Sequence, residues 1–517
     1  MNLTTLHPSV GASQIKSVDL RVSPYCPNLT EFLLDFSGLK RLEKLYLSGC
    51  SSLSVLPENI GYMPCLKELL LDGTAIKSLP ESIFRLENLQ KLSLKSCRSI
   101  EELPMCIGTL TSLEELDLSE TALKNLPRSI GSLISLQKLH VMHCASLTKI
   151  PDTINDLTSL QELVIDGSAV EELPLSPGSL PCLTKFSAVG RNSLKQVPSS
   201  VGWLNSLLQL KLDSTPITTL PGEISHLRFI QKLELRNCIS LKSLPSTIGD
   251  MDTLHSLYLE GSNIEELPEG FGNLGNLVLL QMNKCKNLKK LPNSFGDLKS
   301  LCHLYMEETL VMELPESFGN LSNLRVLKMM KSDDPGLGAR EESSLVIPNS
   351  FSNLLLLEEL DARGCGISGE VPDVFEKLSS LKILNLGKNK FHSLPSSFQG
   401  LSSLKELSLC DCQELKCVPP LPCILEMLNL ANCFALESIS DLSELTMLRD
   451  LNLTNCKKVD DVPGIENLKA LKRLEMSGCN FQNPSLSGNI TPEWFSQGPV
   501  RFFDEGEASS EGDSTHT

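Results

Sequence analysis

Leucine alternates with polar residues over a short stretch, and the same pattern returns along most of the chain. Residues 42–57 show it once, as LEKLYLSGCSSLSVLP. Leu45 and Leu47 are separated by polar residues, which predicts a half-buried strand whose leucines face a core. Cys50 turns the chain out of the strand, and Pro57 stands where no backbone donor is needed. The apolar spacing of three that follows predicts a helical or 3₁₀ return.

No single unit of this kind can bury its own leucines, so neighbouring units must stack into one continuous core. We therefore predict an α/β solenoid of about twenty units. Its parallel β-sheet would line the concave face of a horseshoe, with short helical, 3₁₀ or irregular turns on the convex face. The units start at Leu42, Leu66, Leu89, Leu113, Leu136, Leu160, Leu183, Leu207, Ile230, Leu254, Leu277, Leu301, Leu324, Leu357, Leu381, Leu404, Leu425, Leu448 and Leu471, after a weaker copy at Ile15.

Unit lengths alternate between 24 and 23 residues from Leu42 to Leu324, so the underlying period is a pair of 47 residues. The longer units mostly end their strand with Cys and the shorter ones with Thr or Ser. The Leu324 unit is 33 residues long, with its extra residues within 332–346. Such an insertion is either a contact site or tolerated slack. We divide the chain into a lead-in (1–14), repeats (15–479), a cap or truncated further domain (480–503) and an acidic tail (504–517).

Two further side-chain series follow the repeat. Lysine and glutamate alternate before the second leucine of each early unit, which predicts a ladder of oppositely charged neighbours. Its members are Lys44, Glu68, Lys91, Glu115, Lys138, Glu162, Lys185, Gln209 and Lys232. Phenylalanine replaces isoleucine in the later turns and would stack there as a core spine. The positions are Phe271, Phe295, Phe318, Phe351, Phe375 and Phe398.

The net charge of −17 disfavours nucleic acid, since phosphate contacts need a basic surface. We see no signal peptide and no stretch able to span a bilayer, so we expect a cytosolic or nuclear location with eighteen reduced cysteines.

Ten of the eighteen cysteines share one repeat position: Cys50, Cys97, Cys144, Cys238, Cys285, Cys365, Cys412, Cys433, Cys456 and Cys479. The local group Cys410, Cys412, Cys417 and Cys423 lacks a histidine and zinc-like spacing, so we predict no metal.

The sequence favours a binding surface over catalysis. It contains no phosphate loop, HExxH or GxSxG motif, so we predict no enzyme activity, no cofactor and no small-molecule substrate. The candidate surface is the concave face, where tyrosine and arginine are types enriched at binding hot spots. Its residues are Tyr46, Asp72, Lys95, Asp117, His140, Asp166, Asp213, Arg236, Tyr258, Glu260, Tyr305 and Glu307. The acidic members from every second unit, Asp166, Asp213, Glu260 and Glu307, would suit a partner with a basic patch.

Several segments together resemble one family. These are LKELLLDGTAIKSLPESIFRLENL at 66–89, LKKLPNSFGDLKSL at 288–301, VPPLPCILEMLNLANC at 418–433 and TPEWFSQGPVRF at 491–502. They resemble the leucine-rich repeat (LRR) region, and the start of the following domain, of plant intracellular immune receptors of the TIR–NB-ARC–LRR class. We find no TIR or nucleotide-binding domain in this chain, which we therefore expect to be a fragment, a truncated paralogue or an incomplete gene model.

The resemblance implies two roles for the repeats. In that family they recognise a pathogen effector or a guarded host protein, and they restrain the nucleotide-binding switch, in cis or in trans. The expected partner is therefore a protein, either effector, host guardee or NB-ARC domain. The alternative is a stand-alone intracellular LRR scaffold similar to the Ras-group LRR proteins, in which LPxxIGxL turns also occur.

Overall fold

Short parallel strands stack side by side in the computed structural model, which describes residues 15–19, 39–190, 193–332, 344–371, 373–375 and 377–479. Contacts divide the chain into two units. Unit 1 is Met1–Ile367 with Val374–Leu381, and unit 2 is Ser368–Asp373 with Lys382–Thr517. The predicted lead-in, cap and acidic tail lie outside the described residues, as does most of the 332–346 insertion.

Unit 1 contains one parallel sheet of fifteen strands in chain order, each paired with the next without register shift. The central apolar residue of one strand always faces that of its neighbour, as Leu45 faces Leu69. The strands are β1 Ser17–Asp19, β2 Lys44–Tyr46, β3 Glu68–Leu70, β4 Lys91–Ser93, β5 Glu115–Asp117, β6 Lys138–His140, β7 Glu162–Val164, β8 Lys185–Ser187, β9 Gln209–Lys211, β10 Lys232–Glu234, β11 Ser256–Tyr258, β12 Leu279–Gln281, β13 His303–Tyr305, β14 Val326–Lys328 and β15 Glu359–Asp361.

Twelve of the described return turns of unit 1 are 3₁₀ helices, each preceded by a proline whose extended backbone leads into the turn, whereas the turn between β7 and β8 is not helical. They pack closely, since a Cβ added at Gly296 would lie 1.8 Å from the Ser317 carbonyl oxygen. The turns are Glu58–Tyr62, Glu81–Arg85, Met105–Thr109, Arg128–Ser132, Asp152–Asp156, Ser199–Trp203, Gly222–His226, Ser246–Asp250, Glu269–Asn273, Asn293–Asp297, Glu316–Asn320 and Asn349–Asn353.

The alternation of cysteine and threonine has a structural cause. The Thr74 hydroxyl donates to the Leu71 carbonyl oxygen at 2.8 Å, and the Cys97 thiol of the next unit donates to the same oxygen at 3.1 Å. Both side chains are buried, and together with the Thr74 backbone N–H they give this one carbonyl oxygen three donors. The same arrangement recurs at Leu118, where Thr121 and Cys144 donate, and at Leu212, where Thr215 and Cys238 donate.

Sixteen described cysteines are free thiols. Burial raises the pKa of thiols at the shared repeat position, that of Cys285 to about 11. These thiols are therefore protonated at neutral pH and can donate hydrogen bonds. The expectation of reduced cysteines is wrong for Cys50. That residue is disulfide-bonded, and its partner lies outside the described residues.

The phenylalanine spine is confirmed for its first four members. Neighbouring rings are stacked with centroids 6.2, 6.0 and 6.2 Å apart from Phe271 through Phe295 and Phe318 to Phe351. Phe375 meets Phe351 edge-on, at an interplanar angle of 66°. All five rings are fully buried, so the spine forms part of the hydrophobic core of unit 1.

Unit 2 differs because it holds two parallel sheets. One consists of β17 Ile383–Asn385, β19 Glu406–Ser408, β21 Met427–Asn429, β23 Asp450–Asn452 and β24 Arg473–Glu475. The other consists of β16 Ser368–Glu370, β18 Lys390–Ser393, β20 Cys417–Val418 and β22 Ser438–Ile439. Its 3₁₀ helices are Ser396–Gly400 and Ile465–Asn467. The repeat pattern of the sequence did not predict this second sheet.

A candidate protein-binding face

Side chains on the face of the unit 1 sheet opposite the core lie in three rows. The first row holds the first residue of each strand, the second row the third residue, and the third row the residue two positions further on. Because the strands pair in register, row neighbours lie about 4.8 Å apart. The second row contains the predicted residues Tyr46, Asp117, His140, Tyr258 and Tyr305, and the third contains Asp72, Lys95, Asp166, Asp213, Arg236, Glu260 and Glu307.

The predicted charge ladder forms in the first row. Glu115 lies 2.7 Å from both Lys91 and Lys138, and Lys44 lies 2.7 Å from Glu68. Ion pairs with its two lysines lower the pKa of the Glu115 carboxyl. Such partly exposed pairs contribute about 0–1 kcal/mol each. Their larger effect is that no first-row charge between β2 and β8 faces a like charge.

The third-row aspartates that follow β3, β7 and β9 form hydrogen bonds within the protein. Each accepts a hydrogen bond from the backbone N–H of the third-row residue in the next unit. Asp166 accepts from Val189 at 2.7 Å and Asp213 from Arg236 at 2.7 Å, while Asp72 accepts from Lys95 at 3.2 Å. Two members of the predicted acidic series therefore fix the backbone of their neighbours, and less of their hydrogen-bonding capacity is left for a partner.

A buried carboxylate that the sequence analysis missed lies at β10. The Glu234 side chain is only 2% exposed and lies 3.0 Å from Lys232 and 3.5 Å from Lys211. It also accepts hydrogen bonds from Arg236 and, at 2.7 Å, from Gln209. Burial alone would raise the pKa of Glu234, but these donors outweigh it and lower that pKa to about 2. The signal in the sequence was an acid at a second-row position with basic neighbours in both adjacent rows.

Arg236 joins this buried carboxylate to the third row. Its guanidinium lies 2.9 Å from Asp213 and stacks 4.0 Å from the centre of the Tyr258 ring. The Lys232 ammonium lies 5.0 Å from the same ring. We call Asp213, Glu234, Arg236 and Tyr258, with Lys232, the β10 cluster. Arg236 contacts Asp213, Glu234 and the Tyr258 ring, and these contacts use most of its hydrogen-bond donors. The cluster therefore stiffens this part of the face.

Beyond the β10 cluster the face changes character. The first row continues with Ser256, Leu279, His303 and Val326, all half-buried and none part of a charge ladder. Ion pairing resumes at β15, where Glu359 lies 2.9 Å from Lys328 of the second row. Beside them in the second row stand Tyr258, Gln281 and Tyr305. We call Ser256, Tyr258, Leu279, Gln281, Tyr305 and Val326 the open face. Leucine and valine at first-row positions put apolar atoms where earlier strands carry salt bridges.

Carboxylates border the open face in the third row. Glu260 lies 3.7 Å from Lys284 and accepts a hydrogen bond from Gln281 at 3.3 Å. Glu307 accepts one from the Asn283 amide at 2.7 Å, and among the described residues no cation lies within ion-pair distance of it. Burial raises the pKa of Glu307, the nearby carboxylates of Asp361, Glu308 and Glu260 add to that rise, and the Lys328 ammonium opposes it.

The remaining predicted residues have local partners. The Tyr46 hydroxyl donates to Glu68, and Asp117 accepts the Ser119 backbone N–H at 2.9 Å. His140 Nε2 lies 3.5 Å from a Glu162 carboxylate oxygen. Lys95 extends into solvent. The twelve predicted residues are therefore distributed along the face, six of them on β2 to β7, four on β9 to β11 and two on β13.

The part of the chain that the structure describes shows no group of three His, Cys, Asp or Glu side chains placed to hold a metal ion. In the cysteine group weighed as a metal site, the Cys412 thiol donates to the Leu386 carbonyl oxygen, while Cys417 and Cys423 are exposed. A search of the same residues for a helix long and apolar enough to cross a bilayer finds none.

Comparison with known proteins agrees with this architecture. A leucine-rich repeat region family matches residues 92–172 and 253–342, and other leucine-rich repeat families match residues 41–63, 356–378 and 369–413. The chain is built from leucine-rich repeats. A solved structure of an LRR protein from Leptospira interrogans is 26% identical, with a TM-score of 0.55 over 87% of this chain and 93% of that one.

Curated relatives match shorter segments of this LRR protein. TMV resistance protein N of Nicotiana glutinosa is 38% identical over 103 residues, which are 20% of this chain and 9% of the relative. Disease resistance-like protein DSC1 of Arabidopsis thaliana is 39% identical over 79 residues, which are 15% of this chain and 6% of the relative. The matched segments therefore span less than a tenth of these relatives' lengths.

Proposed function

We propose that this chain is the protein-recognition module of a plant innate immune receptor of the TIR–NB-ARC–LRR type. Its strand face would bind a pathogen effector or a guarded host protein, and the same repeats would restrain a nucleotide-binding switch supplied in cis or in trans. It would do so in the cytosol or nucleus. The observation that carries the proposal is the open face, which offers half-buried apolar and aromatic side chains with no charge ladder over them.

Three observations support this assignment. The segments most similar to curated proteins match plant resistance proteins. The remaining face, from β2 to β10, is occupied by internal ion pairs and hydrogen bonds, which concentrates binding capacity on later strands. Sixteen free cysteines are in keeping with a reducing compartment, although the disulfide at Cys50 is not.

The test is affinity purification of the tagged chain from plant tissue, with and without pathogen challenge. A face variant, Leu279→Ser with Tyr305→Ala, is compared with the control Leu70→Ser, which changes a strand-face leucine at β3. We expect an effector, a host protein it targets, or a nucleotide-binding receptor domain to be recovered with wild type and control but not with the face variant. Equal recovery with all three proteins would refute recognition through this face.

The alternative is a stand-alone LRR scaffold in signalling. The observation that favours it is the likeness to the Leptospira LRR protein, which extends over 87% of this chain and 93% of that one. The same purification separates the two functions. Recovery of signalling proteins that do not respond to pathogen challenge, together with no effect on receptor-triggered cell death in leaves, would favour the scaffold.

A further inference from the structure

We propose that the open face binds a partner segment in which an apolar side chain is flanked by arginine or lysine. This inference rests on the proposed protein-binding function and specifies the chemistry of its partner. The apolar side chain would lie against Leu279 and Val326, between the two tyrosines, and the basic groups would reach Glu260 and Glu307 in the third row.

The apolar part of the inference comes from the first row. Between β2 and β8 that row consists of lysine and glutamate in mutual contact, so a partner's apolar group would have to displace ion pairs there. At β12 and β14 the row instead presents the half-buried Leu279 and Val326, with His303 of β13 between them. Tyr258 and Tyr305 lie diagonally to them, in the second row of a neighbouring strand. Covering these side chains removes apolar surface from water without breaking a charge pair.

The expectation of a basic group in the partner comes from Glu260 and Glu307, the third-row carboxylates beside the open face. Glu307 receives its hydrogen bond from a neutral amide and, within the described residues, has no ion-pair partner. Glu260 is 3.7 Å from Lys284, whose side chain is 62% exposed and free to move aside. Burial raises the pKa of Glu307 most, the carboxylates of Asp361, Glu308 and Glu260 raise it further, and the Lys328 ammonium opposes them. A guanidinium or ammonium from a partner would relieve this repulsion, whereas an acidic partner would increase it.

Other surfaces of unit 1 offer weaker evidence for a binding site. The β10 cluster satisfies its own charges, and the early third-row aspartates bind neighbouring backbone N–H groups. Exposed apolar side chains such as Trp203 and Phe229 lie away from the strand face, and nothing in their surroundings indicates a partner. Among the described residues of unit 1, the open face combines half-buried apolar side chains with Glu307, a carboxylate that has no ion-pair partner there.

The experiment is selection of displayed random short peptides on the immobilised full chain, followed by affinity measurement for the enriched peptides. We expect enrichment of an aromatic or aliphatic residue next to arginine or lysine. Binding should weaken about tenfold for Leu279→Ser and for Glu307→Gln, a loss typical of an interface hot spot. The matched control Leu70→Ser should bind as the wild type does, and circular dichroism checks that each variant is folded.

The outcomes separate this inference from the proposed function. Enrichment of acidic peptides, enrichment of no peptide, or equal loss in Leu70→Ser and Leu279→Ser would overturn the partner chemistry proposed for the open face. If a plant partner is nevertheless captured and its binding depends on Tyr305, the face still recognises protein and only the basic–apolar chemistry is wrong. Affinity should also rise with pH as Glu307 ionises, because its carboxylate is the form that attracts a cation. The charged groups that face Glu307 are the carboxylates of Asp361, Glu308 and Glu260, which raise its pKa, and the Lys328 ammonium, which lowers it.

Discussion

The first part of the unit 1 sheet, β2 to β10, and the second part, from β11 onward, share one repeat but differ in the interactions that stabilise them. From β2 to β10 the face carries ion pairs, and the turn behind each strand buries an isoleucine or valine wherever a 3₁₀ turn is present. From β11 onward the first-row ladder stops, and the turns bury stacked phenylalanines. The two changes lie close together along the sheet: the last first-row ion pair is at β8, the β10 cluster follows it, and the first phenylalanine turn comes after β11. Beyond the cluster the face keeps only separate ion pairs among the described residues, such as Lys284–Glu260 and Lys328–Glu359.

This coincidence indicates how a repeat protein can free part of its surface. Side chains that bind one another across the face cannot also bind a partner without a cost in lost internal contacts. In the second part the larger aromatic core replaces the smaller aliphatic residues behind the sheet. We infer that stability there depends more on the core, which leaves the strand face available for recognition.

The largest expected effect tests the core of the second part. Phe318→Ala removes a ring stacked against both neighbours and should lower the free energy of unfolding by about 4 kcal/mol, measured by urea titration. A double-mutant cycle with Phe295→Ala should show coupling of about 1 kcal/mol. Additive effects would mean that the rings fill space independently and that the spine is not a cooperative feature.

The next effect tests the β10 cluster at the boundary. Glu234→Gln leaves Arg236 and Lys232 without their buried counter-charge and should destabilise by about 3 kcal/mol near neutral pH. The folded-state pKa is lowered from 4.5 to about 2, so the stabilisation is present above about pH 4.5 and is lost as pH falls towards 2. Wild type and variant should therefore converge in acid. A constant difference across that range would exclude Glu234 ionisation as its source.

A smaller effect is expected in the ladder of the first part. Glu115→Gln breaks two partly exposed ion pairs and should cost less than about 1 kcal/mol, a loss that shrinks further in high salt. Urea titrations at low and high ionic strength provide the measurement. A loss as large as that of Glu234→Gln would show that the ladder, rather than the buried cluster, stabilises the first part.

The smallest effect on stability is expected on the open face. Leu279→Ser changes a half-buried side chain without a charge partner, so stability should change by no more than about 0.5 kcal/mol while peptide binding falls. Thermal denaturation measured beside the binding assay distinguishes the two. If the variant loses stability and binding together, Leu279 belongs to the core of the repeats and the division between the two parts is not as proposed.

The sequence by itself determined the repeat, its strands and its 3₁₀ turns, because leucine spacing decides locally which side chains can be buried together. It also predicted the ladder at Glu115 and the stacked Phe318, since equivalent positions of successive units must be neighbours. Tertiary structure alone decided that Glu234 is buried, that Asp166 holds a neighbouring backbone N–H, and that unit 2 forms a second sheet. Those outcomes depend on rotamers and on donors from adjacent units, which the spacing of residues in one chain does not specify.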